Sequence, residues 1–265
     1  MDKLINNHDL ELLKAILNIQ SKTYNHSEMS CFVENKLKRD ASAVQLSFTI
    51  DKHGNIIVSK GEAEAYACLC CHLDTVHEIV EDYEIKEDNG KFYAMSGDVA
   101  TGIGGDDKCG IYSILHLLSN NDKPFKAVFF SDEEIGQQGS SKIDLSFFND
   151  VGFLVGIDRR ENSDLITFRY KTTISEDFRN FIRPISDKYA YKETDGAATD
   201  VFTIQNRLSN PISAINISCG YYNFHKQNEF IILSDLLKCI DFATEIVNEY
   251  DNKKIFYLKE CINGV

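Results

Sequence analysis

No apolar run in the 265 residues approaches the roughly 20 needed to cross a bilayer, which argues against an embedded protein. The opening residues, MDKLINNHDLELLKAILNIQ, lack the uninterrupted apolar segment of a secretory signal. Basic residues are in deficit: 28 Lys and Arg face 41 Asp and Glu, a formal net charge of -13. Such a surface is a poor partner for nucleic acid or an anionic membrane. It suits metal cations and substrates carrying a positive amine. Pro- or Ser-rich linkers, repeats and low-complexity tracts are missing, so one domain is expected over residues 1–265. Tryptophan is absent, yet 43% of residues are hydrophobic, enough for a globular chain with a sizeable core.

The eight cysteines do not form an evenly spaced framework. Together with the missing signal this predicts a cytoplasmic protein with reduced thiols. The cluster CLCCH (68–72) has no second Cys pair to answer it, as a structural zinc site needs. A buried strand, with Cys acting as a small hydrophobe, is the simpler reading.

Apolar positions Leu10, Leu13, Ile16 and Leu17 predict a helix over 8–20, and a second helix is expected over Ser27–Lys38. The stretch VQLSFTIDKHGNIIVSKG reads as a hairpin turning at DKHGN. Strands are expected in AYACLCCHLDTV, after KEDNG, in KAVFFS, in VGFLVGID, near Leu165–Tyr170 and in SAINISC. Helices are expected near Lys108–Leu118 and Ser175–Phe181, and Ser234 is expected to cap a last long helix. Strands apolar on both faces, alternating with helices, predict an α/β fold. Its central sheet should be largely parallel (mixed), with helices on both faces.

In such sheets the ligand site lies beyond the carboxyl ends of the strands, and the acidic and His residues fall there. His72 and Asp74 end one strand, Asp132, Glu133 and Glu134 another, Asp158 a third, and His225 follows the last. The turn GGDDKCG places Asp106 and Asp107 at the mouth of a helix. Residues i and i+2 of a strand share a face, so His72 can bind a metal while Asp74 orients its ring. Glu133 and Glu134 should diverge, one toward a metal and one toward water. Two His and three carboxylates suit Zn²⁺ or another first-row metal. Five candidate ligands, His72, Asp106, Glu134, Asp158 and His225, exceed the three protein ligands of one catalytic zinc. If Asp106 bridges, two ions each receive three.

These motifs, in this order, resemble those of the co-catalytic dizinc exopeptidases. That clan includes peptidase T, the carboxypeptidase G and acetylornithine deacetylase group, and lidless leucyl-type aminopeptidases. HLDTV (72–76), GGDDKCG (104–110), DEEIGQQGS (132–140), GID (156–158) and FHKQNEF (224–230) carry the likeness. The resemblance implies that His72 and Asp158 hold one zinc and Glu134 and His225 the other, with Asp106 between them. It implies Glu133 as general base, Asp74 as the group orienting His72, and a cis peptide between Asp106 and Asp107. Co²⁺ or Mn²⁺ are possible substitutes. Peptidase T inserts a lid domain between the last two motifs. Here residues 159–224 must also complete the main sheet, while a separate domain needs at least about 50 residues of its own. No lid is therefore expected.

The expected activity is hydrolysis of small peptides from the amino end. Deacylase action on an N-acyl amino acid, dipeptidase or carboxypeptidase action, a single-zinc acyltransferase and a non-catalytic binding protein are the alternatives. A homo-oligomer is possible. Arg159 beside Asp158 is a candidate for a substrate carboxylate, as is Arg160, although both can pair with Glu161 or Asp164. Tyr221 and Tyr222 are candidate oxyanion donors, and TDGAATD (194–200), with Asp195 and Asp200, a candidate substrate loop. His77 has no standard ligand spacing, His116 is expected to pack, and His8, His26 and His53 are expected to be exposed.

Overall fold

The computed structural model describes residues 7–41 and 45–258. In chain order the elements are α1 (Asn7–Leu17), α2 (Ser27–Asp40), β1 (Leu46–Ile50), β2 (Ile56–Lys60), β3 (Tyr66–His72), β4 (Tyr83–Asp88), β5 (Lys91–Ser96), β6 (Val99–Thr101), α3 (Gly105–Asn120) and β7 (Phe125–Phe130). There follow β8 (Val151–Arg159), β9 (Asp164–Arg169), β10 (Lys171–Thr172), α4 (Glu176–Lys188), β11 (Lys192–Asp195), α5 (Asp200–Arg207), β12 (Ala214–Ser218), β13 (Tyr221–Tyr222), β14 (Phe230–Ile232) and α6 (Leu233–Glu249).

The main sheet runs β1-β2-β7-β3-β8-β12-β9-β10, with β11 added beside β9. Its middle is parallel, β7 to β3, β3 to β8 and β8 to β12, and its margins are antiparallel. Strand β3 shows why the middle must be buried on both sides. Ala67, Leu69 and Cys71 join the apolar cluster that also holds residues of α1, α2, α3, α4 and α6. Cys68 and Cys70 join the opposite cluster with Val201, Phe202 and Ile204 of α5. Period-two alternation thus divides CLCC between two faces: Cys68 and Cys70 share one, their sulfurs 4.0 Å apart, and Cys71 lies on the other. The seven described cysteines are free. Among the described residues no helix is long and apolar enough to cross a membrane.

The main departure from expectation is a second, antiparallel sheet, β13-β14-β5-β4 with β6 beside β5. It brings the segment after KEDNG against the segment after His225. In sequence the two lie far apart, and each is too short to announce a sheet. The stretch expected as a substrate loop, 194–200, starts in the end of strand β11, parallel to β9, and ends at the start of α5; between them Ala197, Ala198 and Thr199 line the cavity beyond the strand ends. Ser234 does not cap α6. The helix grows straight out of β14, Ile232 occupies the cap position without a side-chain bond, and the Leu233 amide donates to the Gly90 carbonyl at 2.8 Å. Ser175 does cap α4, accepting from the Phe178 amide, and that helix continues past Pro184 to Lys188.

Candidate metal centre

Because β7, β3 and β8 are parallel neighbours, their carboxyl ends lie side by side, and three of the sequence motifs meet there. β3 ends in His72, β8 carries Asp158, and Glu133 and Glu134 follow β7. Asp106 comes from the first turn of α3, and His225 from the connection between β13 and β14. The two oxygens of Asp106 face different imidazoles. Oδ1 lies 3.1 Å from His72 Nε2, and Oδ2 lies 3.3 Å from His225 Nε2. Asp158 Oδ1 stands 3.5 Å from His72 Nε2, and Glu134 Oε2 stands 3.1 Å from His225 Nε2. His72, Asp106 and Glu134 offer ligand atoms within 4.8 Å of one another, as do His72, Asp107 and Asp158. All five residues expected to bind metal are brought together.

Each is held by neighbours. His72 Nδ1 is 2.9 Å from the Asp74 carbonyl oxygen and 3.5 Å from its carboxylate. The Asp74 carboxylate does more than orient His72. It accepts from the Glu133 amide at 2.9 Å, the Glu134 amide at 3.4 Å and the Thr23 hydroxyl at 2.7 Å. One buried aspartate thereby fixes both the imidazole and the glutamate pair. Asp158 is clasped by Asn216 of β12, whose amide accepts from the Asp158 N–H at 3.0 Å and donates to its carbonyl at 2.9 Å. The Thr199 hydroxyl donates to Asp158 Oδ2 at 2.9 Å, leaving Oδ1 for His72. Gln137 donates to Glu133 Oε1 at 2.9 Å.

The glycine-bound turn answers to the same logic. The Asp106–Asp107 peptide is cis, as the resemblance implies. Asp107 turns away from the cavity, accepting from the His72 amide at 3.1 Å and the Gly110 amide at 2.9 Å, so it ties strand β3 to helix α3. Lys108 is buried and donates to the carbonyls of Ile103 and Leu17. Gly104 has φ 71°, in the left-handed region that disfavours side chains, and a Cβ at Gly102 would lie 2.1 Å from the His77 ring. Glu229, fully buried, accepts from the Gly104 amide at 2.7 Å, the Asp106 amide at 3.1 Å and His77 Nε2 at 2.8 Å. His77 and Glu229 therefore clamp the turn that presents Asp106. Neither was singled out from sequence, since His77 lacks ligand spacing. The only signal for Glu229 was its place inside the last motif.

Acid–base character follows from burial and crowding. Burial depresses His72, but Asp158 and the hydrogen bonds to Asp106 and Asp158 hold it well above the usual imidazole range. Hydrogen bonds to Asp106 and Glu134 raise His225 to about 10. Burial raises Glu133 to about 9, with Asp200 and Asp158 adding to it, against the pull of His72 and Gln137. Burial raises Asp158 to about 6, helped by Asp106. So many carboxylates in one buried cluster need positive charge beside them, which bound cations would supply, lowering the imidazole and carboxyl proton affinities. Glu134 Oε1 is buried with no hydrogen-bond partner, as an atom awaiting a cation would be. The donor set and this orphaned oxygen fit a first-row metal.

The groups expected on the substrate side fare unevenly. A cavity of about 180 Å³ opens over the cluster, and Arg159, Arg160, Ile166, Ala198, Tyr221 and Phe224 are among its lining residues. Arg159 is there but already forked onto Asp164, with Nε at 2.9 Å and an Nη at 2.8 Å. Tyr221 lines the cavity, whereas the Tyr222 hydroxyl donates to Asp235 at 2.6 Å, outside it. Asp200 is 3% exposed behind His72 and Asp158, its Oδ1 without a partner, and burial pushes its carboxyl up to about 8. It is not on the cavity wall. His116 packs on Tyr112. His26 is partly covered, 3.4 Å from Asp132, and His53 is half-buried. The side chain of His8 lies outside the described residues.

The family described as Peptidase family M20/M25/M40 matches residues 68–249. No curated protein matches the chain. Among solved structures it is similar to aminopeptidase PepT from Bacillus cereus ATCC 10987, with 12% identity and TM-score 0.75, covering 91% of this chain and 97% of that one. It is similar to a tripeptidase from Staphylococcus aureus subsp. aureus Mu50, with 14% identity and TM-score 0.72, covering 90% and 96%. Aminopeptidase APDkam598 from Desulfurococcus kamchatkensis gives 15% identity and TM-score 0.72, covering 97% and 98%. At such identities the likeness establishes the fold.

Proposed function

The chain belongs to peptidase family M20/M25/M40 and is a metal-dependent peptidase, and from that premise we propose that it is a two-zinc aminopeptidase acting on small peptides. The observation that carries this reading is Asp106, whose two oxygens face two separate imidazoles, each with its own further carboxylate. In this reading His72 and Asp158 would hold one ion and His225 and Glu134 the other, with Asp106 offering one oxygen to each. When bound, the ions supply Lewis-acid activation of water and of the scissile carbonyl.

The chain's own residues do the rest. Glu133 lines the cavity without being needed as a ligand, and Gln137 and the Asp74–amide bond hold it in place. It takes a proton from the attacking water and returns it to the leaving amine. Its pKa is raised by burial, and cations held beside it would lower it toward the working range. Tyr221 faces the same cavity. The acidic wall attracts the free amine of a peptide. The expectation of one catalytic domain without a lid belongs to this proposal. It is supported by how β9, β10, β11 and β12, all between Asp158 and His225, are used in the main sheet.

The test is a pool of short peptides, each with a free and an acetylated amino end, incubated with zinc- or cobalt-loaded protein and read by mass spectrometry. Loss of single amino-terminal residues from the free peptides alone is expected. Release of acetate or of carboxyl-terminal residues would replace the aminopeptidase reading with a deacylase or carboxypeptidase one. Glu133→Gln is expected to lower kcat roughly 10²–10⁴-fold with metal content unchanged. Wild-type turnover in that variant would remove Glu133 from its role.

A further inference from the structure

Two guanidinium groups line the cavity, and the structure separates their fates. Arg159 is committed to Asp164 through two short bonds. Arg160 is not so committed. Its nearest carboxylate, Glu161, stands 3.7 Å away, beyond hydrogen-bonding range, and is itself 54% exposed. Arg160 lies instead over the ring of Phe224, 4.9 Å from its centroid. Stacking uses the face of a guanidinium, while its N–H donors radiate in the plane and remain available for a forked pair. Phe224 packs edge-on to His225, with ring centroids 4.9 Å apart. A single ring therefore separates Arg160 from the candidate metal centre, a span an extended peptide covers in about two to three residues.

Charge balance gives this arrangement a consequence. The carboxylates lining the cavity are Asp106, Glu133, Glu134 and Asp158. Those carboxylates face the candidate metal centre, and Arg160 is compensated only weakly, by Glu161 at 3.7 Å on an exposed side chain. Ile166, Ala197, Ala198 and Phe224 contribute apolar surface to the same lining, and the Arg160 side chain, 38% exposed, is reachable from the cavity.

We propose that Arg160 is a specificity-determining residue that receives a carboxylate of the peptide substrate, close beside the scissile bond. This rests on the aminopeptidase reading above. The carboxylate is either the free carboxyl end of a di- or tripeptide or an acidic side chain next to the cleaved bond, and the chemistry that recognises them is the same.

The experiment uses two matched sets of substrates with zinc-loaded protein. One set pairs trialanine with its carboxyl-terminal amide, and the other pairs amidated tripeptides carrying Glu or Gln at the first or second position. Wild-type kcat/KM is expected to favour the carboxylate member of one set roughly 10–100-fold, mostly through KM. The set showing the preference identifies the source. In Arg160→Gln the ratio falls toward one, in Arg160→Lys it is partly kept, and in Arg160→Glu it inverts. A merely structural role would slow both members of a pair equally and leave the ratio intact. No preference in either wild-type set, or a preference that survives in Arg160→Gln, overturns the proposal while leaving the aminopeptidase reading in place. If no peptide is cleaved, the reading itself fails. Calorimetry of the same pairs on zinc-loaded Glu133→Gln protein then decides, and equal or absent binding of the two members overturns the role of Arg160.

Discussion

The two arms of the candidate centre are built from different parts of the fold. His72 and Asp158 stand on adjacent strands in the middle of the main sheet, with side chains 1% and 12% exposed. His225 sits on the connection between β13 and β14, at φ 61° and with its side chain 42% exposed. Its partner Glu134 lies on the loop after β7. The first arm is part of the core, locked by Asp74, Asp107, Asn216 and Thr199. The second is carried by loops that meet at the rim. On the proposed two-ion reading the ions should differ in affinity and exchange, because one arm is preorganised by the sheet and the other has to be positioned by connections.

The largest effect expected from this contrast separates the two histidines. His225→Ala should fold normally and bind one ion instead of two. His72→Ala should lose both, because its ring also orders Asp106 and Asp158, and should destabilise the fold by about 2 kcal/mol or more by stranding buried carboxylates. Metal content by plasma mass spectrometry, with urea unfolding of the same samples, checks both. Equal loss from the two variants would break the comparison.

Next comes the clamp under the bridging aspartate. Glu229→Gln keeps an acceptor but loses the charge that draws the Gly104 and Asp106 amides together, and is expected to weaken both ions roughly 10–100-fold. Chelator competition measures this. His77→Ala should give a smaller loss of the same kind. A Glu229→Gln protein that weakened only the His225 side would show that the turn serves one arm.

A pH measurement reaches the core arm alone. Burial opposes ionisation of Asp74, but hydrogen bonds from His72, Thr23 and the Glu133 amide hold it down at about 2, against a usual 3.8. A depressed carboxylate contributes stability that is present in full above its usual value and lost as pH falls through the folded one. Chelated wild-type protein should therefore lose about 2 kcal/mol relative to Asp74→Asn as pH drops from 5 toward 2. Urea midpoints along that range test the sign. The smallest effect is that of Thr199→Val, which removes one hydrogen bond to Asp158 and should cost about 1 kcal/mol and shift the first ion's affinity only slightly.

The legible part of the site was the part carried by strand ends. His72, Asp158 and the glutamate pair follow apolar strands whose parallel pairing the composition of those strands demands, so their convergence could be read before any coordinates. Asp106 was legible through its glycines. In sequence Tyr222 sits just before His225 and Asp200 closes TDGAATD, and both are offered there as substrate-side groups. Tyr222 pairs with Asp235 on α6, and Asp200 starts a helix that covers the opposite face of the sheet. Adjacency along the chain says nothing about side-chain direction once a strand pairs or a helix begins. Arg159 and Arg160 show the same limit, since only Asp164 and Phe224, brought in from other elements, distinguish them.

The sequence by itself determined the α/β layering, the order of the metal-binding motifs and the chemistry of the donor set. These depend on local periodicity, on turn residues and on residue type, all of which are properties of short segments. Tertiary structure alone decided which oxygen of Asp106 meets which histidine, that Glu229 and His77 hold its turn, that a second sheet carries His225, and which arginine remains available. Those outcomes depend on contacts between segments far apart in the chain, where burial and the need to satisfy each buried polar group select one partner among many that sequence permits.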